Sequence, residues 1–204
     1  MSDPNKSSSS SSKYDSSFEW LGMEYDDFDV LVSDLNEHKL EELGKTYEIE
    51  HLGASEFSTT AFPVSGYIHG INRRYMIPLI VQRHNKPHSK IITVWFLVDS
   101  GSPFTCVTVK TLEAFYGAGN VVGQSIERKK CKSCGKSIDK EDSSVNDKCY
   151  LMSIQDQKVG ILCKVSKGHF EEVNILGVDA MQALELSILV DWKAKPQTFQ
   201  LVKT

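Results

Sequence analysis

The stretch "TVWFLVDSGSPFTCVTV", residues 93–109, decides how the rest of the sequence is read. An apolar run ends here in a single carboxylate, Asp99, and Ser-Gly-Ser-Pro follows it. The unbroken apolar character of residues 94–98 predicts a strand that is buried on both faces and lies in the centre of its domain. A carboxylate at the end of such a strand is costly unless hydrogen bonds meet its charge or it shares a proton.

The residues after Asp99 supply the groups that such a carboxylate needs. Gly101 lets backbone amides approach the carboxylate, and the hydroxyls of Ser100 and Ser102 add hydrogen-bond donors. By itself, Asp-Ser-Gly is an ordinary turn sequence. Its position after a buried strand favours a catalytic acid or base, because such a group works best with little rotamer freedom.

The segments around this stretch are typical of strands and turns. Residues 73–83 and 91–99 flank a polar turn and predict a β-hairpin, in which Pro78 indicates an edge position or a bulge. Helices fit only at 179–186 and at 109–116. Further strands are expected at 104–112, 149–155, 158–166, 173–176, 186–192 and 198–202. Their short lengths and close spacing predict a compact β-barrel or folded sheet.

A second pattern, "VNILGVDAMQALEL" at 173–186, closes the region that Asp99 opens. In their order, the two patterns resemble the retroviral-type aspartic proteases, the retropepsin-like family of retroviruses, long-terminal-repeat retrotransposons and some cellular proteins. That family has a hydrophobic strand ending in Asp-Thr/Ser-Gly-Ala/Ser, then a flap hairpin. Two hydrophobic residues and a Gly then lead into a short helix and a C-terminal strand. The resemblance covers roughly residues 73–202, and its matching residues are Phe96, Leu97, Val98, Asp99, Ser100, Gly101, Ser102, Ile175, Leu176 and Gly177.

The resemblance implies a mostly β fold, a retropepsin-like closed or folded barrel with one short C-terminal helix. Asp99 would be the catalytic carboxylate of an aspartic endopeptidase, and Ser100 would brace two such loops across a homodimer. Ser102 would donate a hydrogen bond to Asp99, and Gly177 would let its strand cross tightly beside the Asp99 loop. The 204 residues contain no second Asp-Thr/Ser-Gly, so each subunit would give one Asp of a water-activating dyad.

The resemblance also implies a substrate and leaves an alternative open. The substrate would be an extended peptide, such as the polyprotein of a retroelement, and no cofactor is implied. The alternative is a catalytically inactive retropepsin fold that serves dimerisation or peptide binding. A second rival is a small zinc-binding or nucleic-acid-binding protein in which Asp99 is only a turn residue.

The N-terminal quarter of the chain differs in composition from the rest. Residues 1–50 carry 4 Lys/Arg and 13 Asp/Glu, whereas residues 51–204 carry 19 and 14. Residues 1–17 are rich in serine and predict a disordered tail. Residues 18–65 are expected to form an acidic, partly helical leader, and residues 66–204 the protease domain.

One helix is expected within the leader, ending at Leu43 with Gly44 after its last turn. Asp26 or Asp27 would cap its N-terminus. Its apolar positions at roughly helical spacing are Phe28, Leu31, Leu35, Leu40 and Leu43. One interpretation is a helix that packs against the domain or links to it. The other is an acidic and hydrophobic segment to which a partner protein docks.

A charged insertion at about 117–149 stands where the family has a Gly-rich flap. Its Cys131 and Cys134 have the Cys-x2-Cys spacing of zinc sites, and Cys149 follows. A closed zinc site needs a fourth ligand, which Cys163 or a histidine would have to supply, so we favour free thiols and no metal. Basic residues there are more typical of a solvated loop than of a nucleic-acid site. They are Arg128, Lys129, Lys130, Lys132, Lys136 and Lys140.

The sequence gives no sign of membrane insertion or secretion. No apolar stretch approaches the ~20 residues that a membrane helix needs. The start of the chain lacks the apolar region of a signal peptide. We therefore expect a cytoplasmic or otherwise intracellular protein without a membrane partner, and nucleic acid is not expected as a partner either.

Overall fold

The computed structural model describes residues 32–121 and 149–204, and these residues are mostly β, as the sequence predicts. The strands are β1 (Val64–His69), β2 (Arg74–Arg83), β3 (Ile91–Val98), β4 (Cys106–Val107), β5 (Cys149–Ile154), β6 (Ile161–Val165), β7 (Ile175–Leu176), β8 (Leu186–Asp191) and β9 (Thr198–Lys203). The helices are α1 (Glu37–Thr46), α2 (Val109–Tyr116) and α3 (Val178–Ala183), and a 3-10 turn spans Gly168–Phe170. Within the described ranges, none of the helices is long and apolar enough to cross a membrane.

Six of the strands close a ring. β2 pairs with β3, β3 with β7, β7 with β4, β4 with β6, β6 with β5, and β5 pairs again with β2. β1, β9 and β8 extend the sheet outward from β2 in that order, so β8 lies at the edge of the described sheet. The parallel pairing of β3 with β7 places β7 between the strand before Asp99 and the strand after it.

β3 is buried on both faces, which confirms the prediction from its unbroken apolar sequence. Val94, Phe96 and Val98 belong to the inner core of the ring. Trp95 and Leu97 belong to a second cluster, which we call the outer cluster, on the other face of the strand. Each of the five side chains is at most 7% exposed, so two different layers cover β3.

Helix α1 of the leader supplies the layer on the outer face. Its Leu40 and Leu43 are buried in the outer cluster together with Trp95. The Trp95 indole Nε1–H donates to the Ile49 carbonyl at 3.0 Å, so the loop after α1 is tied to the same side chain. The described part of the leader is therefore packed against the outer face of β3.

Buried polar groups hold α1 in place. The Trp95 backbone N–H donates to His51 Nδ1 at 3.2 Å, and His51 Nε2 lies 3.5 Å from Glu37 Oε2. Lys110 Nζ of α2 lies 3.7 Å from the same Glu37 oxygen. Burial raises the pKa of Glu37, but contacts with His51 and Thr108 and the charges of His51 and Lys110 outweigh burial. The pKa of Glu37 is consequently lower than usual, which favours the ionised carboxylate at the start of α1.

The helix boundaries differ from those that the sequence predicts. α1 begins after Asn36, whose side chain accepts the Lys39 N–H at 2.8 Å, while the predicted caps before residue 32 lie outside the described residues. Gly44 lies inside α1 and not after it. A glycine suits this position because an added Cβ would lie 2.8 Å from the Ile49 carbonyl oxygen. The predicted helix 179–186 is α3, which ends at Ala183.

The strand predicted at 104–112 is largely wrong. Only β4 forms there, because the Thr108 hydroxyl accepts the Thr111 N–H at 3.0 Å and caps α2. α2 confirms the helix that the sequence predicts at 109–116, and it is present in addition to the one C-terminal helix that the resemblance implies. Conversely, β1 begins at Val64, inside a stretch that the sequence assigns to the leader.

Pro78 is tolerated for a reason that the sequence does not give. β2 is not an edge strand, and its pairing with β3 runs through Pro78 and Trp95 without a bulge. On the other side of β2, the pairing with β1 ends at Met76 and the pairing with β5 begins at Val81. Pro78 therefore lies in the gap between two partner strands, where a missing N–H breaks no ladder.

Replacing Leu40 with Ala should lower the free energy of unfolding by about 2–5 kcal/mol, because the truncation leaves a cavity between α1 and β3. Leu40 is fully buried, whereas Ile71 is 62% exposed and provides the control. Ile71→Ala should change stability by no more than about 0.5 kcal/mol. Denaturant unfolding of the full chain measures both, and equal effects would show that α1 is not part of the cooperative fold.

Candidate active site

Asp99 directly follows β3 and is half-buried. Its backbone N–H donates to the Leu176 carbonyl at 3.1 Å, so β7 fixes the main chain at this point. The Gly101 N–H donates to Asp99 Oδ1 at 2.9 Å, and the Ser102 N–H donates to the Asp99 carbonyl at 3.1 Å. The turn therefore holds the carboxylate in place with a backbone amide and leaves part of it accessible to water.

The sequence predicts that the hydroxyls of Ser100 and Ser102 donate hydrogen bonds to the Asp99 carboxylate, and the structure does not have these bonds. The Ser102 hydroxyl donates to the Phe104 carbonyl at 2.8 Å. A hydroxyl has one proton to donate, so the prediction that Ser102 donates to Asp99 is wrong. The Phe104 carbonyl, two residues further along the chain, is the acceptor that lies next to the Ser102 hydroxyl. Ser100 is exposed and lines a second cavity, described below.

The second motif crosses the Asp99 loop at very short range. A Cβ added to Gly177 would lie 2.4 Å from the carbonyl carbon and oxygen of Phe104. No real Cβ tolerates that distance from backbone atoms, so only glycine fits at this position. One residue later, the Val178 N–H donates to the Ser102 carbonyl at 2.9 Å. The structure thus brings together Asp99, Gly101 and Ser102 of the first motif with Leu176 and Gly177 of the second.

Sequence reasoning missed a buried threonine that joins the two motifs. The Thr105 hydroxyl donates to Asp179 Oδ1 at 2.6 Å and accepts the Gly177 N–H at 3.1 Å. Thr105 is fully buried, and the same Asp179 oxygen accepts the Ala180 N–H at 2.7 Å. The sequence does contain a signal, because Thr105 and Asp179 are polar residues close to the two motifs. The sequence pattern predicts them only as parts of the strand 104–112 and the helix 179–186.

A buried asparagine just before the second motif was also missed. Asn174 is completely buried, and its Nδ2 donates to the Trp95 carbonyl at 3.3 Å. Its Oδ1 accepts the Thr108 N–H at 2.8 Å and the Thr111 hydroxyl at 2.9 Å. The side chain therefore ties β3 and the start of α2 to the segment before β7. Ile175 is buried in the outer cluster.

Asp99 lines a cleft with a volume of about 300 Å³, which we call the Asp99 cleft. One side of the cleft is polar and carries two arginines, and the other side is apolar. The lining residues are Val32, Asn72, Arg73, Arg74, Tyr75, Leu97, Val98, Asp99 and Phe170. The cleft is therefore large enough to accept a side chain beside the carboxylate.

A second open cavity of about 300 Å³ lies on the Ser100 side of the loop. It connects the Asp99 loop with α3 and the beginning of β8. Its lining residues are Ser100, Val178, Met181, Gln182, Glu185, Leu186 and Thr204. Phe104 and Val178 are large apolar residues of this region and are 43% and 40% exposed. The Ser100 side of the Asp99 loop is thus an exposed, partly apolar surface.

The cysteines give no described metal centre. Among residues 32–121 and 149–204, no group of three or more His, Cys, Asp or Glu side chains could hold a metal ion. Cys131 and Cys134 lie outside the described residues, as does most of the segment that the resemblance assigns to a flap. Cys163 is completely buried in the inner core, and burial raises the pKa of its thiol well above the ordinary value. A zinc ligand must be a thiolate, so Cys163 is poorly suited to complete a zinc site.

Comparison of the chain with models of protein families, with curated proteins and with solved structures finds no match. The geometry itself defines what the site can do. A half-buried carboxylate at the mouth of a cleft can accept or donate a proton. A single carboxylate cannot give up and take up a proton in the same step, so simultaneous acid and base catalysis on a peptide would need a second group beside Asp99.

The two motif glycines should respond differently to alanine. Gly177→Ala should lower the free energy of unfolding by about 1–3 kcal/mol, because the new Cβ meets the Phe104 backbone. Gly101→Ala should cost less than about 1 kcal/mol, because its Cβ meets only Asp99 Oδ1, at 3.1 Å. Chemical denaturation measures both, and a larger loss in Gly101→Ala would contradict the close crossing at Gly177.

Proposed function

We propose that this chain is a retropepsin-like aspartic endopeptidase that acts as a homodimer on extended peptides, such as a retroelement polyprotein. The observation that carries the proposal is the contact between two motifs that lie far apart in sequence. Asp99 N–H bonds to the Leu176 carbonyl, Val178 N–H bonds to the Ser102 carbonyl, and Gly177 packs against the backbone of Phe104. This contact supports a carboxylate whose position is fixed by backbone atoms alone.

In the proposed dyad, two Asp99 carboxylates a few Å apart cannot both ionise, so they share one proton. The ionised carboxylate takes a proton from a bound water, whose oxygen attacks the scissile carbonyl carbon. The protonated carboxyl gives its proton to the carbonyl oxygen, which forms a diol. When the C–N bond breaks, one diol hydroxyl returns a proton to the dyad. The dyad protonates the leaving nitrogen, and it again holds a single proton.

The edge strand β8 supports the second copy that this mechanism requires. The Thr204 N–H donates to the Glu185 carbonyl at 3.1 Å. This bond shows that Glu185 and every second residue after it direct their backbone N–H and C=O groups toward β9. In an antiparallel ladder, alternate residues point to opposite sides, so the next residues present their amides and carbonyls at the open edge. These residues are Leu186, Ile188 and Val190. An open edge of this kind pairs readily with another strand.

The side chains of β8 suit pairing with a second copy of itself. In an antiparallel pair with Leu189 opposite its twin, Ser187 lies opposite Asp191, and no like charges meet. Leu189 and Trp192 are 60% and 56% exposed, and the pairing would cover them. The Ser100-side cavity is lined by both Ser100 and Leu186, so the Asp99 loop and the β8 edge belong to one continuous surface.

Asp99→Asn should abolish cleavage of an unstructured protein substrate, because the amide cannot take up a proton from water. Asp156→Asn is the matched control. Like Asp99, Asp156 lies just after a strand, and its Oδ1 accepts the N–H of the residue two positions on, Lys158, at 3.0 Å. The control should keep activity within about twofold of the wild type, since Asp156 lies in a turn outside both the Asp99 cleft and β8. Mass spectrometry of the cleaved peptides measures the rates.

Equal cleavage by Asp99→Asn and the wild type would refute the protease proposal. If neither protein cleaves any peptide but both form dimers, the function is dimerisation or peptide binding in a catalytically inactive fold. The substitution replaces both carboxylates of the dyad by amides and leaves the other residues that line the cleft unchanged, so both proteins should bind a peptide of unreactive backbone. This comparison separates loss of chemistry from loss of the binding site.

Leu189→Lys should weaken self-association by at least roughly tenfold, because two lysines would meet at the proposed β8 pair and a buried leucine contact would be lost. Val109→Lys introduces the same charge at an exposed apolar residue of α2, outside β8, and should leave association unchanged. Sedimentation of the full chain over a concentration series measures both constants. A wild-type chain that stays monomeric even with a bound peptide would contradict the dimer.

A further inference from the structure

Residues 32–35 lie far before the first motif in sequence but are packed against the strand that leads to it. Val32 and Leu35 are each 4% exposed and belong to the outer cluster with Leu97 and Phe170. The Leu35 N–H donates to the Val32 carbonyl at 3.2 Å, so the segment forms a turn. We call this turn, residues 32–35, the N-terminal corner.

The N-terminal corner forms part of the Asp99 cleft. Val32 lines the cleft together with Leu97 and Phe170, and these three side chains make the apolar side of the space next to the carboxylate. Leu97 belongs to β3, and Phe170 belongs to the 3-10 turn before β7. Val32 is therefore the contribution of the leader to a cleft that is otherwise built by the barrel.

An ion pair fixes the corner at the polar rim of the same cleft. Arg74 Nη2 donates to Asp34 Oδ1 at 2.8 Å, and Arg74 Nε lies 3.1 Å from both carboxylate oxygens. Asn72 Nδ2 donates to Asp34 Oδ2 at 3.0 Å. The side chains of Arg74 and Asp34 are only 15% and 27% exposed. Charge-assisted bonds with this fork geometry restrict orientation as well as distance.

We propose that the N-terminal corner is a fixed wall of the peptide-binding site and that Val32 is a specificity-determining residue, which contacts an apolar side chain of the bound peptide. Asp34 is a positioning residue that acts through Arg74. This inference rests on the proposed function, since it names the substrate feature that the Asp99 cleft selects. The leader is then part of the working enzyme and not a fragment to be discarded.

The packing supports a wall and not a displaceable cover. Opening the corner would expose Val32 and Leu35 and would uncover Leu97 on β3. It would also break the bonds that join Asp34 to Arg74 and Asn72. Segments that open easily have few buried apolar contacts, and this one has apolar contacts on its inner side and an ion pair at its rim.

The test compares Val32→Ala and Val32→Ile with the wild type on peptides that differ at one position, which is Ala, Val, Leu or Phe. Affinity is measured by fluorescence anisotropy, and kcat/KM is measured where cleavage occurs. One methylene in an apolar site changes selectivity by roughly tenfold or more. Val32→Ala should shift the preference by about that factor toward the larger side chains, and Val32→Ile toward the smaller ones. Val109→Ala and Val109→Ile, at a 47% exposed valine outside the cleft, should leave the ranking unchanged.

Asp34→Asn tests the positioning role separately. KM should rise about tenfold with kcat changed by less than twofold, because the corner binds substrate but does not touch the reacting atoms. Glu41→Gln is the matched control, since the Glu41 carboxylate also ties the leader to the barrel, through Lys110 Nζ at 2.7 Å, but away from the cleft. This control should leave KM unchanged.

Four outcomes decide the inference. An unchanged peptide ranking in both Val32 variants overturns it, as does the absence of peptide binding by the wild type. Faster cleavage of every peptide by Val32→Ala and Asp34→Asn also overturns it, because the corner would then be a cover. A shifted ranking in binding without any cleavage leaves the inference standing and removes the protease proposal alone.

Discussion

The burial of β3 on both faces is the constraint on which the rest of the structure depends. Phe96 and its inward neighbours fill the ring, while Trp95 and Leu97 need a second layer outside it. With both faces covered, the strand has almost no freedom at its C-terminal end. Asp99 follows directly, and its N–H is bonded to Leu176 of β7. The core therefore fixes the main chain at Asp99, and the Gly101 N–H then holds the carboxylate.

The second layer explains why the acidic leader and the barrel form one structure. α1 places Leu40 and Leu43 over Trp95, and the Asp34–Arg74 pair fixes the chain before the helix. Both contacts lie close to the strand that leads to Asp99. The charge of the leader alone suggests a separate segment. In the structure, its described residues cover the outer face of β3 and also line the Asp99 cleft.

Asp99 is the only carboxylate among the described residues that line the Asp99 cleft. Asp99 Oδ1 accepts a bond from Gly101, and the neighbouring serine hydroxyl is turned away toward Phe104. The surface on the Ser100 side is exposed and partly apolar, and it continues to the open edge of β8. A dimer that covers this surface would have two effects. It would supply a second carboxylate, and it would bury apolar side chains that are exposed to solvent in the single chain.

The sequence by itself determined the elements whose pattern is local. The apolar run before Asp99 predicts a doubly buried strand, and two apolar runs around a turn predict the hairpin of β2 and β3. The short runs at 186–192 and 198–202, separated by turn residues, predict β8 and β9. These predictions succeed because burial on one or both faces is written in the spacing of apolar residues. The resemblance of the two motifs likewise depends only on their order along the chain.

Only the tertiary structure decided which groups meet. The pattern of β3 shows that its outer face is covered, but it cannot show that α1 provides the cover, since any apolar helix would satisfy it. The partner of the Ser102 hydroxyl depends on a turn that brings the Phe104 carbonyl within reach, and Thr105 joins the motifs only because β7 crosses beside it. Such contacts depend on the distance between segments remote in sequence, and local propensity carries no information about that distance.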